Sequence, residues 1–212
     1  MSAIQVEINK HENCISEKIF EKACSLFFSI GIRNTTMDGL AKELGISKKT
    51  LYKEFANKAD LVRFCVEYEL KKNEKFFQEL ADNTENAMEE LVLSAIEIHS
   101  DIQQFHPSII QDLMKLYPES WNLIEHHRDV FAKNNIINNF KKGIKQGLYR
   151  KDINVEVVAL LNLQLSFFSL HFDHKIHPVS EVYLEVLRYN IHAIATPKGI
   201  ELFEKLIKKI KI

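Results

Sequence analysis

The chain has 212 residues, of which 46% are apolar and 27% charged, and its formal net charge is −1. That length supports one large domain or a small one followed by a larger, and the composition is that of a water-soluble globular protein. No run reaches the roughly 18 consecutive apolar residues of a membrane span, and the start MSAIQVEINKHEN lacks the basic-then-apolar pattern of a secretory signal, so the expected location is the cytoplasm. A near-zero net charge speaks against wholesale coating of nucleic acid but leaves room for a local basic surface.

Glycine and proline are scarce and apolar residues recur at spacings of three and four, which predicts an all-α fold. A first amphipathic helix runs through Ile19, Ala23, Phe27 and Ile30 and stops at Gly31. Thr36 is placed to cap a short helix, TMDGLAKEL, which Gly45 ends; Ser47 can cap a second, SKKTLYKEF, and Asn57 a long one beginning KADLVRF. Longer helices follow over roughly 84–105, 107–116, 120–146, 154–172 and 178–195, with a terminal piece from Gly199. Cys14, Cys24 and Cys65 form no metal-spaced set and are expected to be reduced, mostly buried residues.

The stretch from Thr36 to Leu44, a two-residue turn at Gly45 and Ile46, and the stretch from Ser47 to Phe55 have the dimensions of a helix-turn-helix. Leu40, Ala41, Leu44, Ile46 and Leu51 fall on its inner faces. Lys48, Lys49, Thr50, Tyr52 and Lys53 remain outward on the second helix. Between Lys42 and Lys58 five lysines stand against two glutamates, a local balance of +3. Cations and hydroxyls suit phosphates, and longer side chains at a helix start suit base edges in a major groove. The helix starts at Thr36, Ser47 and Lys58 also offer free N–H groups to a phosphate. The alternative is an ordinary solvated basic face.

The run TTMDGLAKELGISKKTLYKEFANKADL resembles the N-terminal DNA-binding domain of the tetracycline-repressor (TetR) family. The resemblance rests on Thr35, Thr36, Leu40, Ala41, Leu44, Gly45, Ile46, Ser47, Thr50, Leu51, Tyr52, Phe55 and Lys58, and with the preceding helix it covers about 18–66. Farther on, KKGIKQGLYRKDINVEVVA is similar to a looser family pattern before a dimerising helix. The resemblance implies a three-helix DNA-binding domain at 1–57 and a larger helical effector-binding and dimerisation domain at 58–212. It also implies a homodimer on a palindromic double-stranded operator, usually repressing, with a small-molecule effector. The DNA-contact residues it supports are Thr36, Ser47, Lys48, Lys49, Thr50, Tyr52, Lys53 and Lys58. Two positions depart from the family pattern: Asp38, where a basic residue is common, and Glu54, where a His is common. Both carboxylates would repel phosphates unless paired, for example with Lys42 and Lys58 at helical spacing.

In the helix from Asn154, Val158, Leu161, Leu165, Phe168 and Phe172 form one stripe and Leu160, Leu163, Phe167 and Leu170 another; Val182, Val186 and Tyr189 continue the theme in the next helix. A helix apolar on two faces must bury both, and Val158, Leu161, Leu165, Phe168, Val182, Val186 and Tyr189 are the expected dimer interface. Candidate pocket residues are Phe76, His99, Phe105, Tyr117, Trp121, Phe131, Phe168 and His171, with ordinary core packing as the alternative for each. His171, His174 and His177 sit next to Pro178 without a completing thiol or acid, so no metal and no cofactor is expected. The terminal EKLIKKIKI could touch a membrane or nucleic acid, but reads better as a helix packed on the body. With no glycine-rich phosphate loop, GxSxG or HExxH, the chain is not expected to be an enzyme. The alternatives are a helical adaptor or an enzyme whose helix-turn-helix no longer binds DNA.

Overall fold

A computed structural model of the chain describes residues 3–104, 106–171 and 177–210. It is all-α: α1 (Ala3–Ile30), α2 (Met37–Leu44), α3 (Lys48–Glu54), α4 (Lys58–Asn83), α5 (Ala87–Gln104), α6 (Ile109–Leu116), α7 (Pro118–His127), a π-helical turn (Arg128–Ala132), α8 (Lys133–Lys145), α9 (Val155–His171), α10 (Val179–Ile194) and α11 (Pro197–Ile210). Among the described residues the only β pairing is an isolated antiparallel bridge between Tyr149 and Ala195. No described helix is long and apolar enough to cross a membrane.

Caps explain most of the boundaries. The Thr36 hydroxyl accepts from the Gly39 N–H at 3.0 Å and the Ser47 hydroxyl from Thr50 at 3.0 Å. Asn57 Oδ1 accepts from Asp60 N–H and Asn154 Oδ1 from Val157 N–H, starting α4 and α9. Several starts differ from the sequence expectation. The fifth helix begins at Ala87 because Asn86 Oδ1 takes the Glu89 N–H, while the Thr84 hydroxyl turns back to Leu80 at the end of α4. Thr196 caps α11, whose first residues are Pro197 and Lys198, two before Gly199. The first helix runs back to Ala3, well before the apolar stripe that reveals it. The long helix expected at 120–146 forms from Pro118 to Lys145 but carries the π turn in its middle.

The described chain divides into two compact units. The first comprises Met1–Lys71 and Gln104–Ile124. Its interior is a continuous stripe of α1 (Ile19, Phe20, Ala23, Cys24, Phe27), with Leu61, Val62 and Cys65 of α4, Leu40, Ala41 and Leu51 of the two short helices and Phe55 just after the second, all buried. Phe20 and Tyr68 stack at 4.0 Å between centroids, and Phe55 and Phe64 at 5.1 Å. Cys24 and Cys65 are free and buried, and the Cys65 thiol, hydrogen-bonded to Cys24 and desolvated, is pushed up and stays protonated. The Cys14 side chain lies outside the described residues.

The second unit comprises Lys72–Gln103 and Glu125–Ile212. Its core gathers Met88, Val92, Phe140, Tyr149, Ala159, Ile191 and Phe203. Several polar groups enclosed there are paired. Glu90, buried, meets Lys142 at 2.8 Å, and Asn139 Nδ2 donates to the Ala87 carbonyl at 2.9 Å. The Tyr149 hydroxyl lies 3.2 Å from both Ala87 O and Asn139 Oδ1. Gly143 on α8 lets the Tyr149 ring lie directly against the helix backbone.

Candidate nucleic-acid interface

α2 and α3 are too short to be stable alone, so their orientation comes from caps and packing. Gly45, at φ +66°, reverses the chain after α2, and the Ile46 N–H closes back on the Ala41 carbonyl at 3.0 Å. Leu40 and Leu51 are fully enclosed and Ala41 nearly so, which brings the helices together on their inner faces. The sequence-expected inner residues Leu44 and Ile46 are half-buried.

The outer face consists of Lys48, Lys49, Tyr52 and Lys53, all exposed, with Thr50 half-buried beside them. The hydroxyls of Ser47 and Thr50 lie 2.8 Å apart. Thr36 and Ser47 hold their helix starts, so both hydroxyls already serve as acceptors within the chain. Asp38 pairs with Lys48 at 2.6 Å across the turn, rather than with Lys42 one helical turn along. Both partners are more than half exposed, so the pair adds little stability, but it places the carboxylate beside a cation of α3. Glu43 is paired with Lys22 at 2.8 Å, and that hydrogen bond and charge hold its carboxyl below the usual range.

Lys58 stands apart from its expected companions. It is half-buried and turned inward, donating to the Ile32 carbonyl at 2.5 Å and toward Arg33 O at 3.4 Å, not toward Glu54. Burial pulls its ammonium below the usual lysine range, and the Asp112 carboxylate opposes that shift. Two residues absent from the sequence reading also act here. Asp112 of α6 is buried, and Arg33, exposed, lies 3.5 Å from it. Arg33 follows the Gly31 stop and precedes the Thr36 cap, which is the one sequence hint of its position; Asp112 has none.

The candidate pocket residues fall in both units. Tyr117 and Trp121 belong to the first unit; Phe76, His99 and Phe131 are half-buried in the second, and Phe168 is exposed. Phe105 and the His171 side chain lie outside the described residues. Sequence reasoning passed over His127, whose ring lies 4.8 Å from that of Phe131 and whose enclosed Nε2 stands 3.5 Å from a Glu74 carboxylate oxygen. Arg128 lies over the Phe167 ring at 4.8 Å. His174 lies outside the described residues, and among those described no three His, Cys, Asp or Glu gather as a metal site.

Of the expected interface residues, Leu161, Phe168 and Tyr189 are exposed, Tyr189 by 69%, whereas Val158, Leu165, Val182 and Val186 are half-buried. Val157 and Leu160, not among those expected, are exposed beside them, so the open stripe of α9 reads 157, 160, 161 and 168. A run of large exposed apolar residues at helical spacing is the kind of patch that marks an interaction site.

Residues 19–64 match the family model described as bacterial regulatory proteins, tetR family. An HTH-type transcriptional regulator of Staphylococcus aureus strain MRSA252 is 33% identical over 134 residues, covering 55% of this chain and 71% of that protein. Another, from the bovine strain RF122 / ET3-1, is 28% identical with the same coverage. Among solved structures, a TetR-family transcriptional regulator from Agrobacterium tumefaciens superposes with a TM-score of 0.71 at 16% identity, covering 87% of this chain and 100% of the other. SmeT, the repressor of the Stenotrophomonas maltophilia multidrug efflux pump SmeDEF, superposes at 0.65 with 14% identity, covering 86% and 91%.

Proposed function

Since the chain belongs to the tetR family of bacterial regulatory proteins, we propose that it binds double-stranded operator DNA as a homodimer in the cytoplasm and represses transcription until a small-molecule effector binds its second unit. The observation that carries this reading is the exposed row Lys48, Lys49, Tyr52 and Lys53 on a helix whose start is fixed by Ser47 and whose inner face is locked by Leu51. Lys48 and Lys49, in the first turn, are positioned for base edges as well as phosphates, while Tyr52 and Lys53 suit the backbone. Thr36, Ser47 and Thr50 add hydroxyls along the same edge.

The homodimer reading is supported by the exposed apolar stripe Val157, Leu160, Leu161 and Phe168 and by Tyr189. A two-fold axis lets two copies cover these surfaces with each other. Palindromic half-sites follow from that symmetry. The repressing role is supported by the SmeT likeness in fold, and SmeT is a repressor. A second reading, a helical adaptor that has lost DNA affinity, draws on the Asp38–Lys48 pair, which offsets one cation of the reading helix.

Gel shift and footprinting with the gene's own upstream region test the proposal. Protection of a palindrome, weakening as salt rises, is the expected result, and absence of any salt-sensitive binding would overturn the DNA-binding reading. Light scattering is expected to give about twice the 24.7 kDa chain mass; a monomer at micromolar concentration removes the dimer.

A further inference from the structure

Apart from the exposed face, two side chains remote in sequence converge on the loop that leads into it. The carboxylate of Asp112, 5% exposed, accepts from the Arg33 backbone N–H at 3.2 Å and from the Ser108 hydroxyl at 3.1 Å, and lies 3.5 Å from the Arg33 guanidinium. From the other side Lys58 donates to the Ile32 carbonyl, which also accepts the Thr35 N–H at 3.2 Å. The Thr35 hydroxyl donates to the Gly31 carbonyl at 3.0 Å, and a Cβ at Gly31 would meet Ser108 Oγ at 2.8 Å. The Ile32–Arg33 peptide region is thus gripped by a residue 79 positions downstream of Arg33 and by one 26 positions downstream of Ile32. Thr36, which caps α2, follows within four residues.

We propose that Asp112 and Lys58 are positioning residues for DNA binding. They clamp the Ile32–Arg33 backbone and so fix the base from which Thr36 launches α2 and α3, and Lys58 acts on DNA only through that loop, not as a phosphate contact. A buried carboxylate is retained at such a cost only where several donors satisfy it, as here. A reading face two short helices long has little rigidity of its own, so its aim depends on how its entry loop is held. An ammonium donating to main-chain carbonyls is also withdrawn from the outer face.

This inference rests on the DNA-binding reading of α2 and α3, and one titration separates the two. Fluorescence anisotropy of a labelled duplex from the gene's upstream region is followed against salt for the unaltered chain, Lys48→Ala, Lys58→Met and Asp112→Asn. Lys48→Ala is expected to lower the slope of log K against log salt by about one, as loss of a phosphate contact does. Lys58→Met and Asp112→Asn are expected to weaken binding about tenfold with the slope unchanged, since the number of phosphate contacts stays the same. Hydrogen exchange adds a readout of the loop: in Asp112→Asn the Arg33 and Thr35 amides are expected to lose protection while amides of the α1 core keep theirs. A slope lowered by about one in Lys58→Met overturns the proposal, as does unchanged affinity in Asp112→Asn despite lost Arg33 protection. Should Asp112→Asn not fold, the Lys58→Met slope decides. Absence of salt-sensitive binding by the unaltered chain overturns the DNA-binding reading itself.

Discussion

Replacing Gly143 by alanine sets two effects of opposite sign against each other. In the last turn of α8 the change alone favours the helix by at most about 1 kcal/mol. The added Cβ, however, would lie 2.1 and 2.2 Å from Cδ2 and Cε2 of Tyr149 and 2.9 Å from its Cγ, so the ring must retreat by well over an ångström. It has nowhere to go. Tyr149 is 1% exposed, packs edge-on against Phe140 at 5.8 Å, and its hydroxyl is held between Ala87 O and Asn139 Oδ1. Overpacking of this kind costs about 3 kcal/mol, and a displaced buried hydroxyl about 1 kcal/mol more. With the helix gain subtracted, Gly143→Ala is expected to destabilise by about 3 kcal/mol. Urea unfolding followed by circular dichroism, at one fixed chain concentration, reads this as a lower midpoint with an unchanged m-value. Adding Tyr149→Leu to Gly143→Ala removes the obstructing ring, and the pair should lose less than the sum of the single changes. A Gly143→Ala chain as stable as the unaltered one, or more so, would refute the close-packing account.

Three further outcomes are expected. On the proposed function, Asp38→Asn removes the carboxylate from beside Lys48 and should tighten DNA a few-fold at low salt with a steeper salt slope; weaker binding in the anisotropy titration would count against that face. Leu161→Glu combined with Phe168→Glu, both at exposed positions, should bring the scattering mass down to that of a single chain, and a mass that stays doubled would place the interface elsewhere. His127 titrates below its ordinary 6.5 because burial disfavours the imidazolium, an effect His126 reinforces and Glu74 opposes. The unfolded chain therefore binds more protons in the interval between the two values. Stability from this group is full above the unfolded value, falls as pH drops through about 6.5, and levels off once the folded ring is protonated. Urea midpoints between about pH 7.5 and 5 should decline less steeply in His127→Gln, and parallel curves would show that the ring does not matter.

The helix-turn-helix was readable because its determinants are local. A hydroxyl three residues before the N–H it accepts, a glycine at a left-handed turn and apolar residues at helical spacing all lie within a few positions of one another. The partner of Asp38 was not readable, since spacing along α2 offers Lys42 and only the packing of α3 brings Lys48 nearer. Asp112 shows the same limit more sharply: a single acid on a helix reads as solvent-facing until its donor Arg33, which lies far off in sequence, is known. Within 128–132, RDVFA, no proline or glycine marks the π turn, and the periodicity runs through it unbroken. The apolar character of α9 was plain, but which of its residues stay open depends on the helices that cover the rest, and the exposed set Val157, Leu160, Leu161 and Phe168 follows neither stripe alone.

The Asp38–Lys48 pair has a kinetic consequence. Long-range attraction toward a polyanion depends on the field a protein projects before contact, and opposite charges 2.6 Å apart cancel as seen from a Debye length away. The far field of this surface is therefore weaker than its count of lysines implies. If the duplex is engaged through this face, encounter is steered less strongly than for a face of unpaired cations, and the Lys48 charge becomes available only as the ion pair opens at docking. Affinity would then be expressed mainly in how slowly the finished complex comes apart, not in how quickly DNA is found.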